Sequence, residues 1–206
     1  MPGKQDKPLW QSGRSSTVWN WVGCLGDSIT FGARSSLGYP EYLSRTLREE
    51  TGMLWPCVNL GVNSETTLQI MRRADRQLRE FPDVEIWCLC AGMNDCRELT
   101  PLRIWEETYR QLLERFVTLR KKVFVATMPP IVPGRGHLPY RKESREHWVW
   151  MNGTIMNLAD TRRTPVVRLD GMVEHEITMA DSVHPTDAGS QWIADQFAKK
   201  ILEEAA

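Results

Sequence analysis

The sequence has no long hydrophobic run. Nowhere in its 206 residues does an apolar stretch approach the ~20 residues that span a bilayer, and the first twenty carry Lys, Gln, Asp, Ser and Arg where a signal peptide would have an apolar core. A cytoplasmic protein without membrane insertion is the expectation. Charge of one sign is not in excess either: Lys plus Arg and Asp plus Glu are each 26, so no net field draws the chain to nucleic acid. No low-complexity linker divides it, which predicts one domain over 17–206 behind a flexible N-terminal extension, 1–16. The five cysteines, Cys24, Cys57, Cys88, Cys90 and Cys96, are odd in number. No second pair at zinc-like spacing accompanies Cys88 and Cys90, so reduced core thiols are expected, with no metal. Neither a Gly-x-x-x-x-Gly-Lys loop nor a Gly-x-Gly-x-x-Gly run is present, which argues against a nucleotide or flavin binder. Oligomeric state is left open.

What the chain does have is a regular alternation. Apolar runs at Val18–Leu25, Trp55–Leu60, Val84–Ala91, Lys122–Thr127 and Pro165–Leu169 read as strands. Helical spacing separates them: Leu43 and Leu47; Met71, Ala74 and Leu78; Leu112 and Phe116; Trp148, Met151 and Ile155; and Ile193, Phe197 and Ile201. Such alternation predicts an α/β fold with a central parallel sheet of about five strands in three layers. In folds of that kind the site lies at the carboxyl ends of the strands. The polar breaks at Ser28, Gly61 and Asn94 each follow a strand, so they should converge on one edge.

Ser28, in Gly26-Asp27-Ser28, stands where a strand stops and a helix begins, and backbone N–H groups at a helix start favour developing negative charge. A serine nucleophile also needs a base and a group to orient that base. Asp181 and His184, three residues apart in one tight segment before the last helix, fit those two needs. Ser28 N–H, Gly61 N–H and the Asn94 amide are candidate donors to a tetrahedral intermediate. Asp95 reads as structural. The Pro- and Gly-rich segment Met128–Tyr140, with Pro130, Ile131 and His137, is long enough to select substrate. Trp148 and Trp150 beside it read first as packing and otherwise as rings for an acyl pocket or a sugar platform. Asp27, next to the serine, is a further substrate-side candidate.

With these residues in place the chain resembles the SGNH, or GDSL, family of serine hydrolases. The match runs through Gly26-Asp27-Ser28, Gly61, Gly92-x-Asn94-Asp95 and Asp181-x-x-His184-Pro185. The resemblance implies a flavodoxin-like α/β/α sandwich, with Ser28 as nucleophile, His184 as base and Asp181 as its acid partner. It also implies an oxyanion hole of Ser28, Gly61 and Asn94, and no cofactor. One departure is visible: where the family often has a second glycine three residues after Gly61, this chain has Ser64. The implied activity is hydrolysis of carboxylic acyl esters with small or medium acyl chains favoured, of the lipase/esterase, lysophospholipase or thioesterase kind, the partner being a small-molecule ester. Carbohydrate O-acetyl esters are the alternative, and a non-catalytic binding protein on the same fold is the rival from another class.

Overall fold

The structure, a computed structural model, describes residues 20–135 and 141–205. Five short strands form its frame: β1 (Val22–Gly26), β2 (Cys57–Gly61), β3 (Ile86–Cys90), β4 (Lys122–Ala126) and β5 (Val166–Val167). All pair in parallel, in the order β2-β1-β3-β4-β5. Helices α1 (Ser28–Phe31) and α2 (Tyr39–Thr51) follow β1, and α3 (Thr67–Glu80) follows β2. After β3 come α4 (Met93–Glu98) and α5 (Leu102–Thr118); after β4, α6 (Lys142–Thr161); after β5, α7 (His175–Thr178) and α8 (Asp187–Glu203). On one face α2 packs against α8, and on the other α5 packs against both α3 and α6. The sheet is thus the middle of three layers, as the alternation implies.

Local chemistry explains why these residues take these places. Every residue of β1 is buried, as a central strand covered on both faces requires. A Cβ on Gly23 would meet the Trp87 ring at 2.6 Å, so the glycine is what admits this fully buried indole beside β1. Trp87 in turn lies 5.7 Å, centroid to centroid, from Phe116 of α5 and donates to the Val84 carbonyl at 3.0 Å. On the opposite face Tyr39 stacks on Phe197 at 5.1 Å and joins α2 to α8. Cys24, Cys88 and Cys90 are buried free thiols, and burial pushes their pKa up, which keeps them inert.

Val18 and the division at 16/17 lie outside the described residues. Two other boundaries differ from the sequence expectation, besides β1 itself, which begins at Val22 because Asn20 and Trp21 are not in the strand. The fifth strand is two residues long because Leu169 N–H and Asp170 N–H turn to the Thr127 hydroxyl, at 2.8 and 3.1 Å, instead of extending the ladder. The break at Gly92 is followed directly by α4, a helix too short for its apolar spacing to register in the sequence. Among the described residues no helix is long and apolar enough to cross a membrane.

The strand order places a switch point between β1 and β3, since the chain leaves β1 for β2 on one side and returns to β3 on the other. Crevices at the carboxyl ends of such strands are where ligands bind. Gly26 at the end of β1 sits in register between Gly61 of β2 and Cys90 of β3, so the three following loops emerge side by side.

Candidate active site

Ser28 is the first residue of α1, and the Asp27 side chain caps that helix by accepting from Ile29 N–H at 3.0 Å. Its hydroxyl lies 2.9 Å from His184 Nε2, although 156 residues separate the two. His184 Nδ1 is 2.8 Å from Asp181 Oδ2. The other oxygen, Asp181 Oδ1, accepts from Val183 N–H at 2.9 Å and His184 N–H at 2.8 Å. Burial alone would raise the Asp181 pKa, but those two backbone donors and the imidazole outweigh it and hold the carboxyl below its usual range. A carboxylate on that side places the imidazole proton on Nδ1 and leaves the Nε2 lone pair facing the Ser28 hydroxyl. The segment carrying both residues is closed by a bond from Ala180 N–H to the His184 carbonyl at 2.8 Å. Thr186 then caps α8.

A cleft of about 260 Å³ opens over Ser28 and His184, lined also by Asn63, Ser64, Asn94 and two arginines, Arg34 and Arg97. Larger depressions, of about 410 Å³ over α3 and α5 and about 620 Å³ over α2 and α8, hold none of the serine, histidine or amide groups. Ser28 N–H has no hydrogen-bond partner among the described residues. Asn94 Nδ2 gives one hydrogen to the Glu65 carbonyl at 3.0 Å and keeps its second. Arg73 ties this assembly to the sheet: its guanidinium bonds Gly26 O at 2.8 Å, Glu65 Oε2 at 2.5 Å and Gln77 Oε1 at 2.7 Å. The end of β1, the loop after β2 and the Asn94 side chain are thereby held in one network.

Gly61 is not brought into the cleft. Its N–H donates to Asn59 Oδ1 at 3.0 Å, and a Cβ there would sit 2.1 Å from the Phe31 nitrogen. Glycine is needed at 61 so that α1 can approach β2. Ser64, three residues on, lines the cleft instead. It adopts φ 65, the left-handed region that favours glycine, and its N–H has no partner among the described residues. The signal for Ser64 lay in the departure from the family pattern at that position. Arg34 and Arg97 had no signal in the sequence beyond their nearness to Ser28 and Asn94.

The remaining candidates stand elsewhere. Asp27 is buried behind Ser28, with Oδ2 lacking a hydrogen-bond partner among the described residues. Burial, reinforced by the charges of Asp95 and Glu65, pushes its pKa up to about 7 against the Ile29 bond. Asp95 accepts from Thr67 N–H and Thr67 Oγ1, both at 2.8 Å, and from Thr100 Oγ1 at 3.1 Å, a structural part as expected. Trp148 does not line the cleft, because its indole N–H is taken by the Met128 and Pro129 carbonyls at 3.2 and 2.8 Å. Ile131 is packed into the core and Pro130 is half-buried. Val132 N–H bonds the Ser182 carbonyl at 2.8 Å. The described part of this segment therefore braces the loop that carries His184 rather than facing the cleft. His137 lies outside the described residues. Among the described residues no three His, Cys, Asp or Glu side chains are grouped to hold a metal ion.

A hydroxyl, an imidazole and a carboxylate in series at the carboxyl edge of a parallel sheet, with amide donors beside them, are the groups that acyl transfer from an ester needs. The model of the GDSL-like Lipase/Acylhydrolase family matches residues 24–192, and the chain belongs to that family. Solved structures agree on the fold. An aryl esterase of M. smegmatis superposes with a TM-score of 0.75 at 16% identity, covering 89% of this chain and 99% of that one. A carbohydrate acetylesterase from Sinorhizobium meliloti gives 0.76 at 15% identity, covering 90% and 99%. An acetyl xylan esterase gives 0.73 at 20% identity, covering 87% and 98%. Comparison with the curated proteins finds no match.

Proposed function

We propose that the protein hydrolyses short-chain carboxylic esters through an acyl-enzyme on Ser28. His184 Nε2 takes the hydroxyl proton as Ser28 Oγ attacks the acyl carbon. It then gives that proton to the departing alcohol oxygen as the ester bond breaks. A water deprotonated by the same nitrogen attacks the acyl-enzyme, and the proton returns to Ser28 with release of the acid. Asp181 keeps the imidazole in the required tautomer and stabilises the imidazolium. The oxyanion is received by Ser28 N–H, Ser64 N–H and the remaining Asn94 Nδ2 hydrogen. The observation that carries this reading is the Ser28–His184–Asp181 series at 2.9 and 2.8 Å.

Cleft size supports a short acyl group, since about 260 Å³ falls below the ~300–1,000 Å³ of pockets for drug-sized ligands. Carbohydrate O-acetyl esters are a second reading, supported by the same volume and by the activities named for two of the structural relatives. Among the described residues no aromatic side chain lines the cleft to stack a sugar, and simple short-chain esters come first. Hydrolysis of chromogenic esters from acetyl to decanoyl, with Ser28→Ala as background, tests the proposal. Turnover should peak at the short end and fall by ~10⁴-fold or more in Ser28→Ala. Equal rates in the two proteins would refute it.

A further inference from the structure

The cleft holds charge that hydrolysis of a neutral ester does not use. Arg97 lies on α4 three residues after Asn94, so the two side chains project from one side of that helix, and both line the cleft. Arg34 lines it from the segment after α1. That segment is tied down where Ser36 N–H and Ser36 Oγ bond the two Asp187 carboxylate oxygens at 2.6 and 2.8 Å. Both guanidiniums are thus carried on anchored backbone, and among the described residues no carboxylate lines the cleft with them.

Each guanidinium has one carboxylate partner, which matches it in charge but takes up only one of its nitrogens. Arg34 Nε faces Asp181 Oδ2 at 3.5 Å, and that carboxylate also serves His184. Arg97 has Glu98 at 3.3 Å, but the Glu98 side chain is 51% exposed, whereas that of Arg97 is only 25% exposed. A guanidinium partly withdrawn from water beside an amide donor is placed to have its hydrogen bonds completed by a ligand. A monoanion with a planar fork of oxygens matches it.

We infer that the preferred substrate is an ester that carries an ionised carboxylate a few atoms from the scissile bond, held by Arg97 or Arg34. This inference rests on the esterase reading above and names the substrate class for that site. A carboxylate on the acyl side would reach Arg97 next to the Asn94 donor, and one on the alcohol side would reach Arg34 next to His184, which protonates the leaving group.

Two matched pairs separate these arms: ethyl hydrogen succinate against ethyl butyrate for the acyl side, and 4-acetoxybenzoate against its methyl ester for the alcohol side. For at least one pair, kcat/KM should favour the anion by about tenfold or more, as a charge-assisted hydrogen bond allows. The preference should shrink at high ionic strength, and the matching substitution, Arg97→Gln for the acyl-side pair or Arg34→Gln for the alcohol-side pair, should bring the ratio to within about twofold of unity. No preference in either pair, a preference that survives the matching arginine substitution, or an equal loss on charged and neutral esters in Arg97→Gln would each overturn the inference. The last result would assign Arg97 to the oxyanion instead. Calorimetric binding of 4-acetoxybenzoate and its methyl ester to Ser28→Ala supplies a readout without turnover. Tighter binding of the anion, with no hydrolysis of any ester by the wild type, would keep the arginine site and sink the esterase reading. Equal affinities, with no preference in the acyl-side pair, would do the reverse.

Discussion

Asp27 stands one residue from the candidate nucleophile and carries a cost of its own. Burial lifts its pKa from 3.8 to about 7 in the folded protein, while in the unfolded chain it ionises near ~3.9. Below pH ~4 both states hold the proton and no penalty exists. As pH rises towards ~7 the unfolded state releases its proton first, so folding loses stability, and above the folded pKa the loss is complete. Asp27→Asn keeps an oxygen for the Ile29 N–H and removes the titration. Its stability relative to wild type, from denaturant unfolding, should therefore improve between about pH 4 and 7 and level off above; a pH-independent difference would contradict the raised pKa. Asn94 acts at the same scale. If its second amide hydrogen receives the oxyanion, Asn94→Ala should lower kcat ~100- to 1,000-fold with little change in KM, and a near-normal kcat would remove it from the hole. Because the same amide holds the Glu65 carbonyl, a thermal melt of the variant should accompany the kinetics.

The loops after β1, β2 and β3 differ in how far their sequences disclosed their parts. The central strands were legible because burial on both faces leaves near-continuous apolar runs, and Ser28, Asp181 and His184 because a strand end and a three-residue spacing are local features. Gly61 misled for a physical reason. A glycine required by the close approach of Phe31 looks the same in sequence as one required to present an N–H. Ser64 showed only as a departure from the family pattern, since a non-glycine residue at φ 65 does not by its type announce the left-handed turn. Arg34 and Arg97 became visible only when the folded loops placed them on one cleft. Ser64→Gly follows directly: it should relieve ~1 kcal/mol of left-handed strain and leave the ester rate in place, because the donor is backbone. A higher melting temperature with retained kcat would agree. A rate lost with the hydroxyl would show instead that the side chain matters.

For the whole molecule, the parallel sheet gathers segments far apart in the chain. Register puts the ends of β1, β2 and β3 together, and Arg73 bolts Gly26 to Glu65 and through it to Asn94. The fourth segment, with Asp181 and His184, arrives just before α8, whose packing against α2 fixes its position. A chain with no net charge thus sets two arginines around one serine. The claim on which the account turns is that this serine is the nucleophile, and a fluorophosphonate ester reports it directly, because only an activated hydroxyl displaces the fluoride. Intact-mass and peptide mapping should find one phosphonyl group per chain, on Ser28, with ester hydrolysis lost in step with labelling and no label on Ser28→Ala. Label on another residue, or hydrolysis that persists with Ser28 fully occupied, would contradict the account.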